Sequence, residues 1–309
     1  MPCKKPLEAF KDASGGIVFS ELKRHDIRAA IDLPCGQCQW CRLERSRQWA
    51  VRCLHEIQLH EHNCFITLTY DDAHLPPAGN LVYNDFQAFM KRLRQDHARA
   101  CKKQNRSAGK IRFYAAGEYG TKFDRPHFHA ILFGTNFNDK ILYSGKDKTA
   151  LYTSKHLDAL WRQGECKIGA ATFESAAYIA RYIMKKITGD PAEEHYKRTN
   201  PETGEISNLK PEFNKMSLRP GIGQKWQEKY ERDIWPKGKI IVNGIETNVP
   251  KYYKKKHKQK GGIKRDETEN LQYENEKLAM KNWQDNTPER RLVKDEVLRA
   301  KLNLNQRKL

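Results

Sequence analysis

The chain has no apolar run near the roughly 20 residues that a membrane-spanning helix requires. No secretory leader opens it, because Met1-Pro2-Cys3-Lys4-Lys5 runs directly into polar sequence. A reducing, cytosolic setting is therefore expected, and eight cysteines there argue against a disulfide scaffold. No Gly-x-x-x-x-Gly-Lys loop is present, which excludes a P-loop motor. Apolar residues are also scarce. They make up 38% against 31% charged, enough for one core domain and an appendage in 309 residues. Acidic residues are outnumbered, 38 to 57, for a net charge of +19. Residues 1–190 hold 30 basic and 20 acidic groups, and residues 191–309 hold 27 and 18. The excess is thus spread over the whole chain, and it points to a nucleic-acid partner rather than to one basic tail.

Near the start, Pro34-Cys35-Gly36-Gln37-Cys38-Gln39-Trp40-Cys41 spaces three thiols three residues apart, and Cys3 can supply a fourth. Tetrahedral zinc takes four such ligands, although the second half of a zinc ribbon is absent. The alternative is a set of buried thiols at the head of the next helix, expected from Arg42 to about His62. That helix carries Arg42, Arg45, Arg47 and Arg52, either as a DNA-contacting face or as a solvated one. Residues 64–70 alternate as a strand, and Asn84 or Asp85 is an N-cap for a helix from Phe86. Residues 111–120 and 126–134 read as an antiparallel strand pair, and 135–150 as loop. Ser154 opens a helix, 166–173 form a strand, and 174–187 form a helix stopped by Gly189-Asp190-Pro191. This order predicts an α+β, ferredoxin-like antiparallel sheet with helices on one face. The expected divisions are 1–62, a Cys-containing segment with the basic helix; 63–190, the core; 191–265, a basic accessory region; and 266–309, a charged helical tail. Residues 240–247 read as a hairpin on Asn243-Gly244. The run Lys251–Lys260, with Lys254, Lys255 and Lys256, either tracks a phosphate backbone or serves as a linker.

Chemistry concentrates in the core. His127 and His129 flank Phe128, so on a strand they share one face about 7 Å apart, as two ligands for one metal ion or as an ordinary surface pair. Glu118 ends the neighbouring strand, where it faces them and completes a nitrogen and oxygen set suited to Mg²⁺ or Mn²⁺. Tyr178 and Tyr182 are four apart on a helix, with Lys185 three further on. Alone, such a pair is core packing. Beside a metal it is equipment for attack on phosphorus, with the lysine stabilising phenolate or phosphate charge.

Phe65-Ile66-Thr67-Leu68-Thr69-Tyr70, Pro126-His127-Phe128-His129 and Tyr178-x-x-x-Tyr182-x-x-Lys185 resemble, in order, the three motifs of the HUH endonuclease superfamily of rolling-circle initiators. The two-tyrosine spacing is similar to the microvirus branch. Pro34-Cys35-Gly36-Gln37-Cys38 with Arg42-Leu43-Glu44-Arg45-Ser46 resembles gokushovirus-type initiators. The resemblance implies an HUH endonuclease fold, His127 and His129 as metal ligands, and Tyr178 and Tyr182 as nucleophiles. Glu118 is the third ligand less firmly, because branches differ there. It implies nicking of the viral strand at the replicative-form origin, a 5′-phosphotyrosine, a 3′-hydroxyl primer, and later circularisation of the displaced strand. Viral origin DNA, host helicase and host polymerase would be the partners, in a bacterial cytoplasm. Two other readings remain: a relaxase or transposase with the same chemistry, and a non-catalytic, zinc-stabilised nucleic-acid-binding protein.

Overall fold

The computed structural model describes residues 3–12, 16–19, 27–120, 123–185, 189–199 and 203–306; within these, the side chains at 27–29, 148, 182–185 and 304–306 lie outside the description. The chain divides into two compact units, Met1–Arg45 with His257–Leu309, and Ser46–Lys256.

In the first unit, β1 (Leu7–Asp12), β2 (Ile17–Val18) and β3 (Ile27–Leu33) form an antiparallel sheet in the order β2-β1-β3. From sequence, Gly15-Gly16-Ile17-Val18-Phe19 reads as a turn and a short strand, and β2 falls within it; β1 and β3 are additions. Helix α1 (Gln39–Ile57) follows, and its residues from Ser46 onward belong to the second unit.

The second unit is built on a seven-stranded antiparallel sheet. Its elements begin with β4 (Asn63–Thr69), α2 (Tyr83–Lys103), β5 (Arg112–Tyr119), β6 (Pro126–Phe133), β7 (Ile141–Ser144) and β8 (Leu151–Thr153). They continue with α3 (Lys155–Trp161), β9 (Cys166–Gly169), α4 (Phe173–Lys185) and α5 (Pro191–His195). The small β10 (Lys197–Thr199) and β11 (Ile206–Asn208) pair with each other, and β12 (Phe213–Met216) joins the main sheet. Strand order in that sheet is β12-β5-β6-β4-β9-β8-β7. An α+β architecture with a large antiparallel sheet is therefore present.

The expected placement of helices on one face does not hold. One face carries Ile66, Leu68, Phe128, Ala130 and Leu132 against α2 and α3, through Phe86, Phe89, Leu157 and Trp161. The opposite face carries Tyr114, Ala116, Ile131 and Phe133 against α1 and α4, through Ala50, Cys53, Ala176 and Ile179. Both faces of β5 and β6 are thus apolar, which an alternating strand covered on one side would not need. Residues 135–150 are not all loop either, since β7 forms there as the exposed edge.

Local signals account for several boundaries. Ser154 caps α3, its hydroxyl accepting from the Leu157 N–H at 3.0 Å. Helix α2 instead starts at Tyr83 without a side-chain cap, and Asp85 accepts a 2.7 Å hydrogen bond from the Tyr70 hydroxyl. Gly117 lies opposite Phe213, and a Cβ there would sit 2.8 Å from the Phe213 ring, so glycine is what lets β12 dock on β5.

Later elements are α6 (Gln224–Lys229), α7 (Glu231–Ile234), β13 (Lys239–Val242), β14 (Ile245–Asn248) and α8 (Lys251–Lys258). Strands β13 and β14 pair across Asn243-Gly244, both at positive φ as a type I′ turn requires. The basic run is helical in α8, where Tyr253 is buried and its hydroxyl lies 2.9 Å from His55 Nδ1, so residues 251–258 are not a flexible linker. The tail folds as α9 (Gly262–Lys281) and α10 (Pro288–Gln306), and in the first unit Lys4 pairs with the buried Asp295 at 3.1 Å. No helix among the described residues is long and apolar enough to cross a membrane.

Phe128 sits at the centre of the larger core, with Tyr70, Phe86, Trp161 and Phe213 rings around it. Phe128→Ala is expected to cost about 3–5 kcal/mol in urea unfolding of the chain; a loss under about 1 kcal/mol would contradict this packing.

Candidate active site

The β5–β6 register places Glu118 directly opposite His127, and Ala116 opposite His129. On β6, Phe128, Ala130 and Leu132 fill the core on the other face, so alternation turns both histidines toward α4. Three ligand atoms converge as a result. His127 Nε2 lies 2.8 Å and His129 Nε2 3.0 Å from the same Glu118 oxygen, Oε1. Glu118 and His129 are buried and His127 is half-buried.

The outer contacts of the rings decide what this cluster can hold. His127 Nδ1 lies 3.1 Å from the Arg125 carbonyl, which can only accept, so that nitrogen carries the proton. Its Nε2 then presents a lone pair to a carboxylate oxygen, and a shared cation, proton or metal, must lie between them. His129 Nδ1 is 2.9 Å from the Thr67 hydroxyl, a partner that leaves Nε2 equally able to ligate. Neighbouring ligands on an octahedral ion at about 2.1 Å are about 3.0 Å apart, the spacing seen here. The residues therefore fit a divalent metal. Burial opposes ionisation of Glu118, but the hydrogen bonds and charge of the two imidazoles outweigh it and hold the carboxyl well below the usual carboxylate range.

Helix α4 brings the tyrosines. Thr172 and Ser175 cap it reciprocally, each side-chain oxygen accepting from the other's backbone N–H at 2.8 and 3.2 Å. Ala176, Ile179 and Ala180 face the sheet, and the two alanines allow close approach. The Ser46 hydroxyl and the Asn214 amide donate, at 3.3 Å each, to the Ala177 and Ile179 carbonyls on either side of Tyr178. The Tyr178 ring meets the edge of His129 at 5.1 Å between centroids and of Phe65 at 6.2 Å, and it is 39% exposed, so substrate can reach it. Tyr182 and Lys185 follow in the same helix; their side chains lie outside the described residues.

Phe65 and Thr67 were not singled out for a role from sequence. They occupy the less buried face of β4, whose alternate residues Cys64, Ile66 and Leu68 are buried; that alternation, with Thr67 opposite His129, is the signal that finds them. Phe65 also stacks on His129 at 5.6 Å.

A second cluster lies in the first unit. The sulfurs of Cys3, Cys35, Cys38 and Cys41 are all within 4.8 Å of one another, and Cys3 to Cys38 is 3.8 Å. Tetrahedral zinc with Zn–S bonds of about 2.3 Å separates its sulfurs by about 3.8 Å. The Cys35 N–H donates to Cys3 Sγ and the Cys38 N–H to Cys35 Sγ, both at 3.3 Å. Burial raises the Cys35 thiol, yet the N–H groups of Cys38 and Gln37 outweigh it and bring it down to about 7. All eight cysteines are free thiols. The donor set fits a metal. Lys254 and Lys256 of α8 are half-buried and Lys255 is exposed.

The family model for replication-associated protein ORF2/G2P matches residues 63–187. The chain is 35% identical over 266 residues to replication-associated protein VP4 of Bdellovibrio phage phiMH2K, spanning 84% of this chain and 79% of that one. It is 32% identical over 274 residues to replication-associated protein ORF2 of Spiroplasma virus 4, spanning 82% and 79%. Replication-associated protein ORF4 of Chlamydia phage 1 is 30% identical over 257 residues, 80% of this chain and 59% of that protein. No solved structure matches. By these likenesses, and with the three sequence motifs falling inside the matched span, the chain belongs to the microvirus-type family of phage replication-associated proteins.

Proposed function

We propose that the chain initiates rolling-circle replication by cutting one strand of viral origin DNA, through tyrosine attack on phosphorus in an HUH-type site. The observation that carries this reading is the meeting of the Glu118, His127 and His129 ligand set with the Tyr178 ring, 5.1 Å from that of His129. Glu118, His127 and His129 would hold Mg²⁺ or Mn²⁺, which supplies polarisation and positioning of the scissile phosphate.

The chain's own groups do the rest. A tyrosine hydroxyl loses its proton and its oxygen bonds to phosphorus, while the bond from phosphorus to the 3′ oxygen breaks. The products are a 5′-phosphotyrosine and a free 3′-hydroxyl that primes synthesis. A tyrosine is a weak nucleophile, with an ordinary pKa of about 10, and Lys185 offsets developing negative charge. Tyr182, with Lys185 three residues on, makes the first cut. Tyr178 stands one helical turn from Tyr182 and serves as the second nucleophile. Its attack on the regenerated origin forms a second 5′-phosphotyrosine and releases the 3′-hydroxyl of the displaced strand. That hydroxyl attacks the first phosphotyrosine, re-forming a phosphodiester that circularises the strand as the first tyrosine oxygen leaves with a proton. Host helicase and polymerase in the bacterial cytoplasm supply unwinding and synthesis. Zinc on Cys3, Cys35, Cys38 and Cys41 is structural.

Incubating the protein with origin single-stranded DNA and Mn²⁺ is expected to give a denaturant-resistant adduct. Tyr182→Phe should lower it more than Tyr178→Phe, and the double variant should abolish it; an adduct from the double variant refutes the tyrosine assignment. Thr67→Val removes the hydroxyl beside His129 and is expected to weaken Mn²⁺ binding, followed by titration, by about 10- to 100-fold; unchanged affinity would leave Thr67 without that role. Purified protein should carry one zinc per chain by elemental analysis, and Cys38→Ser should lose it and unfold at lower temperature, because metal-binding energy is folding energy. A zinc-free chain whose unfolding is insensitive to Cys38→Ser would remove the structural assignment. Salt-sensitive DNA binding with zinc but no adduct would favour the non-catalytic reading instead.

A further inference from the structure

The sheet face that carries the ligand cluster does not end at it. Thr67 of β4 pairs with His129 on one side and with Lys167 of β9 on the other, so the three side chains form one row on one face. Lys167 reaches the edge strand: its ammonium lies 3.8 Å from the centroid of the Tyr143 ring. Tyr143 thus sits on the same face as the cluster. It occupies the irregularity where β7 steps past β8, between the pairs Leu142 with Tyr152 and Ser144 with Leu151, a place where a bulge re-aims a side chain. Even with the lysine against it, Tyr143 is 61% exposed.

An exposed aromatic on an edge strand is a liability unless something covers it. The surroundings identify what. Lys167 is beside the ring, with its ammonium also paired to the exposed Glu165 carboxylate at 3.2 Å; Lys140 lies over Tyr152, which pairs with Ile168 and so belongs to the opposite face. Asp139, an acid of this hairpin, is engaged by the Ser154 hydroxyl at 2.5 Å and the His156 N–H at 2.9 Å. The patch is therefore an exposed aromatic ring with a lysine against it, a composition that receives an unpaired base and its phosphate. Four strand spacings separate β6 from β7 in the sheet, about 19 Å at 4.8 Å each, a span of a few nucleotides.

We propose that Tyr143 and Lys167 form a stacking platform for single-stranded DNA, which holds the strand a few nucleotides from the phosphate positioned by Glu118, His127 and His129. The platform rests on the nuclease reading above. It acts by positioning, because neither residue reaches the reacting atoms. Stacking accepts any base, so the platform adds affinity and register rather than sequence readout, which must come from other contacts.

The test uses the full-length Tyr178→Phe, Tyr182→Phe protein, so that binding is measured without covalent capture. The probe is a fluorescein-labelled 30-mer single strand, dT or mixed sequence, followed by anisotropy. Adding Tyr143→Ala is expected to weaken binding about 5- to 150-fold for both strands, with Tyr143→Trp retaining it and the unfolding temperature unchanged. Lys167→Ala should reduce the salt dependence by about one counterion. In the otherwise native chain, Tyr143→Ala should lower adduct formation at limiting DNA and recover it at high DNA. Equal single-strand affinity with and without Tyr143 overturns the platform while leaving the nuclease reading intact. So does a change in sedimentation on Tyr143→Ala with DNA binding unaltered, which assigns the patch to a second copy of the chain. Loss of the adduct in the native chain itself overturns the nuclease reading, and the platform with it.

Discussion

The pairing register of β5 with β6 is the constraint from which the site follows. Glu118 opposite His127, and Ala116 opposite His129, put one carboxylate oxygen within 3.0 Å of two imidazole nitrogens. A slip of one residue would turn His127 and His129 into the core and Phe128 onto the ligand face. The penalty lies on the opposite face, where Phe128, Ala130 and Leu132 are fully buried against α2 and α3. The hydrophobic core thus sets the geometry of the polar cluster, and it does so through strand alternation alone. Small residues take part as well. Ala116 and Gly117 keep β5 narrow, Gly117 admitting Phe213 of β12 and Ala116 lying beneath α4.

Much of this was legible in the sequence, and for a physical reason. Glu118, His127 and His129 lie on two consecutive strands joined by a short loop, so local alternation and hairpin pairing suffice to bring them to one place. The α+β class, the capping of α3 at Ser154 and the hairpin at Asn243-Gly244 are likewise local. What escaped was non-local. Strand β12 pairs with β5 from about a hundred residues away, and four residues, three half-buried and one exposed, carry little periodic signal. The same holds for β7, whose Ile141, Leu142 and Tyr143 are exposed and read as loop beside Gly145 and its neighbouring lysines. The one-face arrangement of helices failed because apolar residues at both alternating positions of β5 and β6 were read as strand propensity, when they mark burial on both sides. The Lys251–Lys260 run was read by its charge, whereas Tyr253 decides its conformation by burying against His55.

The two halves of the site are held in different ways, and the difference suits their chemistry. Glu118, His127 and His129 stand on inner strands of the sheet, beside side chains that are fully buried; little there can move without loss of core packing. Tyr178 stands on a helix whose contact with the sheet is made by Ala176, Ile179 and Ala180, and whose carbonyls accept from Ser46 and Asn214 at 3.3 Å. Those are longer, weaker contacts than the sheet ladder provides. An alanine-rich helix face has few interlocking side chains, so a small rotation or slide costs less than a shift of the strands would. A nuclease that uses two tyrosines in succession needs a fixed phosphate and a nucleophile-bearing element that presents one hydroxyl and then another. On the proposed reading, a stiff strand pair carrying Glu118, His127 and His129 and an alanine-faced helix carrying Tyr178 would meet both requirements.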